Sequence, residues 1–223
     1  MPRSGKRSYD SPRRQAQKLQ TRAAVVEAAR DLFVTQGYGR TTIAEIAETA
    51  GVSAETVYAA FGNKATLLHR AWDITIGGDH EEVPFHERPE VMAIRAERDL
   101  VARLRLHAAF STATSRRIAP FQLMVRAAAG ADASAAAMLE EMDRQRLEGM
   151  SVMAAEAAAT GQLAVSEAEC RDVVWSSTDG MLWHRLVAER GWSDERYASW
   201  LGDVWVATLV GPQANSAATP AQR

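Results

Sequence analysis

Cysteine occurs once in the 223 residues, at Cys170, so the chain can form no internal disulfide and fits a reducing, cytoplasmic setting. A single cysteine is read as a small buried hydrophobe, not a reactive thiol. No uncharged apolar run is long enough to span a bilayer, which leaves no membrane partner to expect. The basic N-terminus has no apolar segment behind it, so no secretory signal is expected. Runs of β-branched residues are scarce while alanine, leucine and arginine are plentiful, which predicts an all-α fold. Catalytic and cofactor patterns are missing as well. The residues three before His69, His80, His86, His107 and His184 are Thr66, Gly77, Val83, Leu104 and Met181, so there is no Glu-x-x-His pair of the kind that holds a di-iron centre. There is no His-Glu-x-x-His, no Walker loop and no Gly-x-Gly-x-x-Gly. The sequence therefore assigns no catalytic residue, no cofactor and no metal ligand, and a helical enzyme is the weaker of the alternatives.

The net charge of −2 conceals an asymmetry. Residues 1–78 hold 11 Lys/Arg against 7 Asp/Glu, whereas the remainder holds 15 against 21. A basic head on an acidic body is the balance expected of a DNA-binding unit joined to one that does not touch DNA. The most patterned stretch lies in that head, from Thr42 to Lys64. Thr42 followed by Glu45 is a capping box that starts a helix with Ile43, Ile46, Ala47 and Ala50 at helical spacing. Gly51 ends it, Ser53 caps a second helix with Val57, Ala60 and Phe61 inward, and Asn63 caps a third carrying Leu67, Leu68, Ala71 and Trp72. Helix, short glycine-bearing turn and helix is an arrangement that lays its second helix in the major groove. At about 100° per residue, Glu55 and Ala59 point outward while Thr56 and Tyr58 fall on the flanks, where hydroxyls can reach phosphates. Lys64 adds a positive charge at the next helix start.

From about Leu19 to Asp79 the chain resembles the N-terminal domain of the TetR family of bacterial transcriptional repressors. The matching residues are Ala28, Leu32 and Phe33, the Gly37-Tyr38 turn, Thr41-Thr42, Ile46-Ala47, Ala50-Gly51-Val52-Ser53, Thr56-Val57-Tyr58, Phe61, and Lys64 with Leu67-Leu68. The resemblance implies phosphate contacts by Thr42, Tyr58 and Lys64, and groove contacts by Ser53, Ala54, Glu55, Thr56 and Ala60. It also implies a homodimer on a palindromic double-stranded DNA operator, released when a small molecule enters the C-terminal domain. Ala54, Ala59 and Ala60 depart from a donor-rich recognition helix.

In chain order, residues 1–18 read as a basic, disordered arm that could follow the minor groove, and 19–79 as the head with its helix-turn-helix at 42–61. A long first helix runs from about Arg14 to Gln36. The acidic segment from Asp79 to Pro89 reads as a linker, 80–210 as an effector-binding and dimerisation domain, and 211–223 as a disordered tail. Within the body one helical region starts near Glu90, a new helix opens at Pro120, another runs from Asp132 to about Thr160, one from Ser166 to about Glu189, and a last from Ser193 to about Val210.

The last two helices carry apolar stripes with small residues among them. Val173, Ser177, Gly180, Met181 and His184 on one, with Trp200 and Val204 on the other, are the expected homodimer seam. The segment ERGWSDERYASWL also resembles the C-terminal dimerisation helices of TetR-like proteins. Phe110, Phe121, Met124, Met142 and Trp175 could line an apolar effector cavity, with His107 and Asp179 as polar anchors, although periodic apolar residues are more often plain core. The expected function is a dimeric, effector-released repressor in the cytoplasm. A helical ligand-binding module that never touches DNA is the other reading.

Overall fold

A computed structural model describes residues 12–78 and 87–210 of the chain. Most of the arm, the acidic segment at 79–86 and the tail at 211–223 fall outside these residues. All described regular structure is helical, as composition predicts: α1 (Pro12–Gln36), α2 (Ile43–Thr49), α3 (Ala54–Phe61), α4 (Lys64–Gly77), α5 (Pro89–Ala96), α6 (Leu100–Ala129), α7 (Ala133–Ala158), α8 (Glu167–Ser177), α9 (Met181–Trp183) and α10 (Asp194–Leu209). The chain divides into two compact units, Met1–Asp73 and Ile74–Arg223, so the division falls inside α4.

In the first unit α2 packs on α1 and α3 on α2. The core is built from Val25, Val26, Ala29 and Phe33 of α1, Ile46 and Ala47 of α2, Val57 and Phe61 of α3, and Leu67 and Leu68 of α4. Tyr38, in the α1–α2 turn, is buried edge-on against Phe33, with ring centroids 5.2 Å apart.

The second unit is organised around α6, which packs on α5, α7, α9 and α10, while α7 also packs on α8. Side-chain caps start the helices where the sequence places them. Asp132 Oδ1 accepts from the backbone N–H groups of Ser134 and Ala135 at 2.8 and 3.0 Å. Ser166 Oγ accepts from Glu169 N–H and Ser193 Oγ from Arg196 N–H, each at 3.2 Å.

Three helix boundaries differ from the sequence reading. The helical region expected from Glu90 is broken at Glu97–Asp99, where Asp99 Oδ2 accepts from Ala102 N–H at 3.0 Å and restarts the helix as α6. No new helix opens at Pro120, because α6 runs through it without interruption. An interior proline costs about 3 kcal/mol. Burial of Ile118, Phe121 and Val125 around it contributes roughly 1.5–3 kcal/mol each, which outweighs that cost. The helix expected to run unbroken from Ser166 to Glu189 stops at Ser177 and resumes at Met181, continuing as a π-helical turn over His184–Glu189. Gly180 makes the break: its φ is +75°, a left-handed conformation that side chains with a Cβ disfavour.

Candidate nucleic-acid interface

The turn between α2 and α3 is closed by its own backbone. Gly51 N–H donates to the Glu48 carbonyl at 3.1 Å and Val52 N–H to the Ala47 carbonyl at 2.9 Å, with Gly51 at φ +68°. This is the paired bonding of a Schellman end, which satisfies carbonyls that helix termination leaves orphaned. The start of α2 is equally determined. Thr42 Oγ1 accepts from Glu45 N–H at 3.2 Å, and Glu45 Oε2 accepts from both Thr42 N–H and Thr42 Oγ1–H at 2.8 Å. Those bonds hold the Glu45 carboxyl below the ordinary carboxylate range.

Ser53 begins α3 by accepting from Thr56 N–H at 3.2 Å, and its hydroxyl is also 3.1 Å from that of Thr56. The Glu55 carboxyl is held low by the helix-start N–H of its own residue and then by the Ser53 hydroxyl. Val57 and Phe61 turn inward, while Glu55, Thr56, Tyr58 and Ala59 are exposed and Ala54 and Ala60 are half-buried. The outward face of α3 is therefore the one that helical spacing predicts. Tyr58 is 55% exposed, so its ring stands on the outer face of α3.

Lys64 is placed differently from a solvent-facing cation. Its Nζ donates to the carbonyls of Tyr38 and Thr41 at 2.9 and 3.2 Å and lies 4.3 Å from the centre of the Tyr38 ring. The ammonium thus ties the start of α4 to the turn that launches α2, and one of its three N–H groups is left over. Arg22, which sequence reasoning missed, performs the corresponding task at the end of α3. Its Nη1 donates to the Ala60 carbonyl at 2.8 Å, and its guanidinium carbon stands 4.6 Å from the centre of the Phe61 ring. A cation on the last carbonyls of a helix is favoured by the helix dipole. Asn63 caps α4 as expected, accepting from Thr66 N–H at 2.8 Å.

In the second unit the seven expected effector residues fall into different surroundings. Phe121, Met124 and Met142 are close-packed core. His107 lies beside Phe110 and Trp205, with ring centroids 6.3 and 5.7 Å away, and its Nδ1 is 3.3 Å from Ser111 Oγ. Desolvation pushes the His107 pKa down to about 4, against a smaller opposing effect of Glu156. Trp175 and Asp179 do come together with Arg126 and Arg146. The Arg146 guanidinium carbon is 4.7 Å from the Trp175 ring centre, and Arg126 Nη2 is 3.5 Å from Asp179 Oδ2.

Of the seam residues, Val204 is exposed and Trp200, Val173, Met181 and His184 are half-buried. Ser177 and Gly180 serve the protomer itself. Ser177 Oγ accepts from Trp205 Nε1–H at 2.9 Å, and a Cβ on Gly180 would stand 3.0 Å from Gln122 Oε1 and 3.3 Å from Ala119. The small size of Gly180 therefore answers to α6. On α10, Tyr197, Leu201 and Trp205 are buried, whereas Trp200, Val204 and Ala207 line a shallow outer hollow with Arg196, Ser199 and Asp203.

Residues 25–71 match the family model described as bacterial regulatory proteins, tetR family. Over 54 residues the chain is 46% identical to the HTH-type transcriptional regulator TtgR of Pseudomonas putida. That stretch is 24% of this chain and 26% of TtgR, so the match spans about a quarter of the relative's length. Among solved structures, NalD of Pseudomonas aeruginosa, the secondary repressor of the MexAB-OprM multidrug efflux pump, superposes with a TM-score of 0.61 at 20% identity, covering 86% of this chain and 98% of NalD. The fatty acid degradation regulator FadR of Bacillus halodurans superposes with a TM-score of 0.62 at 16% identity, covering 82% and 93%. Those two likenesses concern the fold. With the capped α2–α3 turn, residues 25–71 carry the pattern of the bacterial regulatory proteins of the tetR family, and the described helices share the fold of those solved structures.

Proposed function

We propose that this chain is a DNA-binding regulator of transcription, a repressor that holds a palindromic operator as a homodimer and releases it when a small molecule enters the body. The observation that carries this reading is the outward face of α3. A helix fixed at both ends, by Ser53 and by Arg22, presents Glu55, Thr56, Tyr58 and Ala59 to solvent on the basic side of the chain's charge asymmetry. Thr42, Tyr58 and Lys64 contact phosphates, and Ser53, Ala54, Glu55, Thr56 and Ala60 face the major groove. Thin base-edge readout follows from the alanines, with Glu55 the one acidic group able to accept from cytosine N4. The homodimer forms on the outer side of α10 through Trp200 and Val204. The body helices respond to a ligand that binds the DNA-free conformation more tightly, which by reciprocity makes DNA weaken ligand binding.

Fluorescence anisotropy on a labelled random duplex over a range of salt tests the first step. A regulator of this kind binds with log K falling linearly against log [salt]. Absence of binding at low salt would leave the ligand-binding module that does not touch DNA, the second reading of the sequence.

A further inference from the structure

The buried side-chain atoms of the body that find no hydrogen-bond partner among the described residues include Thr114 Oγ1 and, on α6, α7 and α8, Gln122 Oε1, Arg146 Nε and Trp175 Nε1. Contacts around the last three link their elements, with Arg146 also within electrostatic reach of Asp179 and Arg126. Arg146 lies over the Trp175 ring, and its Nη1 donates to the Trp175 carbonyl at 3.3 Å. Gln122 Oε1 approaches Gly180, the residue after Asp179, and Asp179 pairs with Arg126 one turn along α6 from Gln122. A buried polar group without a partner is unfavourable, so three at one junction require a reason.

The chemistry of the unpaired set is that of an acceptor-binding site. Both nearby carboxylates are already engaged. Asp143 accepts from Arg146 Nη2 at 2.8 Å, and Asp179 accepts from Met181 N–H at 3.0 Å and faces Arg126 at 3.5 Å. What is left without a partner is the Arg146 Nε–H, the Trp175 indole N–H and the Gln122 amide oxygen. A guanidinium stacked on an aromatic ring and flanked by a second donor matches a planar oxyanion. We propose that this junction binds a small organic acid, its carboxylate accepting from Arg146 Nε–H and Trp175 Nε1–H and an adjacent hydroxyl or amino group donating to Gln122 Oε1. The regulatory meaning of the site rests on the effector reading above, and its existence as a binding site does not.

Isothermal titration calorimetry on the full chain without DNA tests it, with lactate and 2-hydroxybenzoate as probes, each against its neutral primary amide, and with inorganic phosphate. The expected result is saturable binding of at least one of the two acids, with its amide weaker by about tenfold or more. Trp175→Phe keeps the ring under Arg146 and removes only the unpaired N–H. It should weaken the acid by about tenfold while leaving the melting temperature unchanged or higher. Gln122→Met, which keeps the length of the side chain and drops the acceptor, should weaken the acid several-fold. No saturable binding of either acid at roughly 10 mM would overturn the proposal. So would equal binding of acid and amide, phosphate binding in place of the acids, or a lowered melting temperature in Trp175→Phe, which would mean that Nε1 is already satisfied. Since no DNA enters the titration, failure of the regulator reading leaves these heats unchanged, and failure of the site leaves DNA binding unchanged.

Discussion

Replacing Lys64 by methionine keeps the alkyl stem and removes the ammonium, which isolates what that charge does. In the structure the ammonium makes two hydrogen bonds to carbonyls of the α1–α2 turn and lies over the Tyr38 ring. Hydrogen bonds involving a charged group are worth about 1.5–3 kcal/mol each when sheltered, and a cation over a ring at a half-exposed site about 0.5–1 kcal/mol. Lys64 is half-buried, so the low end applies and the sum is about 3.5 kcal/mol. That energy is local: it fixes the turn from which α2 starts, and through α2 the seat of α3. Hydrogen exchange by mass spectrometry should therefore show amides of residues 38–50 exchanging roughly 400-fold faster in Lys64→Met, with α6 and α10 unaffected. Anisotropy with duplex DNA should show weaker binding to specific and random sequences alike, with the salt slope lower by roughly one per half-site for the phosphate contact of the remaining N–H. Unchanged exchange in the α1–α2 turn would refute the positioning role. Unchanged salt slope would refute the phosphate contact.

Tyr58→Phe should weaken binding to every duplex with little change in salt slope, because a hydroxyl is lost and no charge. Glu55→Ala should hold or improve nonspecific affinity while narrowing the gap between preferred and random DNA, checked in the same anisotropy assay. Val204→Glu, at an exposed position on the outer side of α10, should convert a dimer to a monomer by light scattering at micromolar concentration without lowering helicity by circular dichroism. A monomeric mass for the unsubstituted chain would contradict the assembly. The His107 pKa lies near 4 in the folded chain against an ordinary value of about 6.5, so between these the unfolded chain binds the extra proton. Stability should be fully present above about pH 6.5 and fall as pH drops toward 4, by up to about 3 kcal/mol. His107→Phe should flatten that fall, read as melting temperature against pH.

The head was legible in the sequence because its signals are local. A capping box, a glycine at a left-handed position and apolar residues at three- and four-residue steps each act within one turn, and Thr42, Gly51, Ser53 and Asn63 all behave in the structure as their types dictate. Arg22 was not legible, since nothing within α1 marks a side chain that reaches Ala60 across 38 positions. Lys64 was visible as a charge but not as an internal tie, because its acceptors are backbone carbonyls that carry no sequence mark. In the body, Pro120 reads as the opening of a new helix, but α6 runs through it, held by burial around it, a tertiary effect that periodicity does not record. Gly180 shows the reverse: a small residue read as room for a partner helix is required instead by Gln122 and Ala119 of the same chain and by its own φ. The methionines and Phe121 fit a cavity wall as well as a core, and helical spacing alone does not say which.

Selection of bound sequences from a random double-stranded library by the full chain tests whether paired α3 helices read DNA. An α3 helix presented twice by a symmetric dimer should enrich an inverted repeat whose half-sites are one helical turn apart, about 10–10.5 base pairs, or a multiple of it. Glu55→Ala should enrich the same repeat with preference relaxed at one position in each half. Enrichment of no common sequence, or of a single half-site with no inverted partner, would contradict a dimeric regulator that reads DNA through α3.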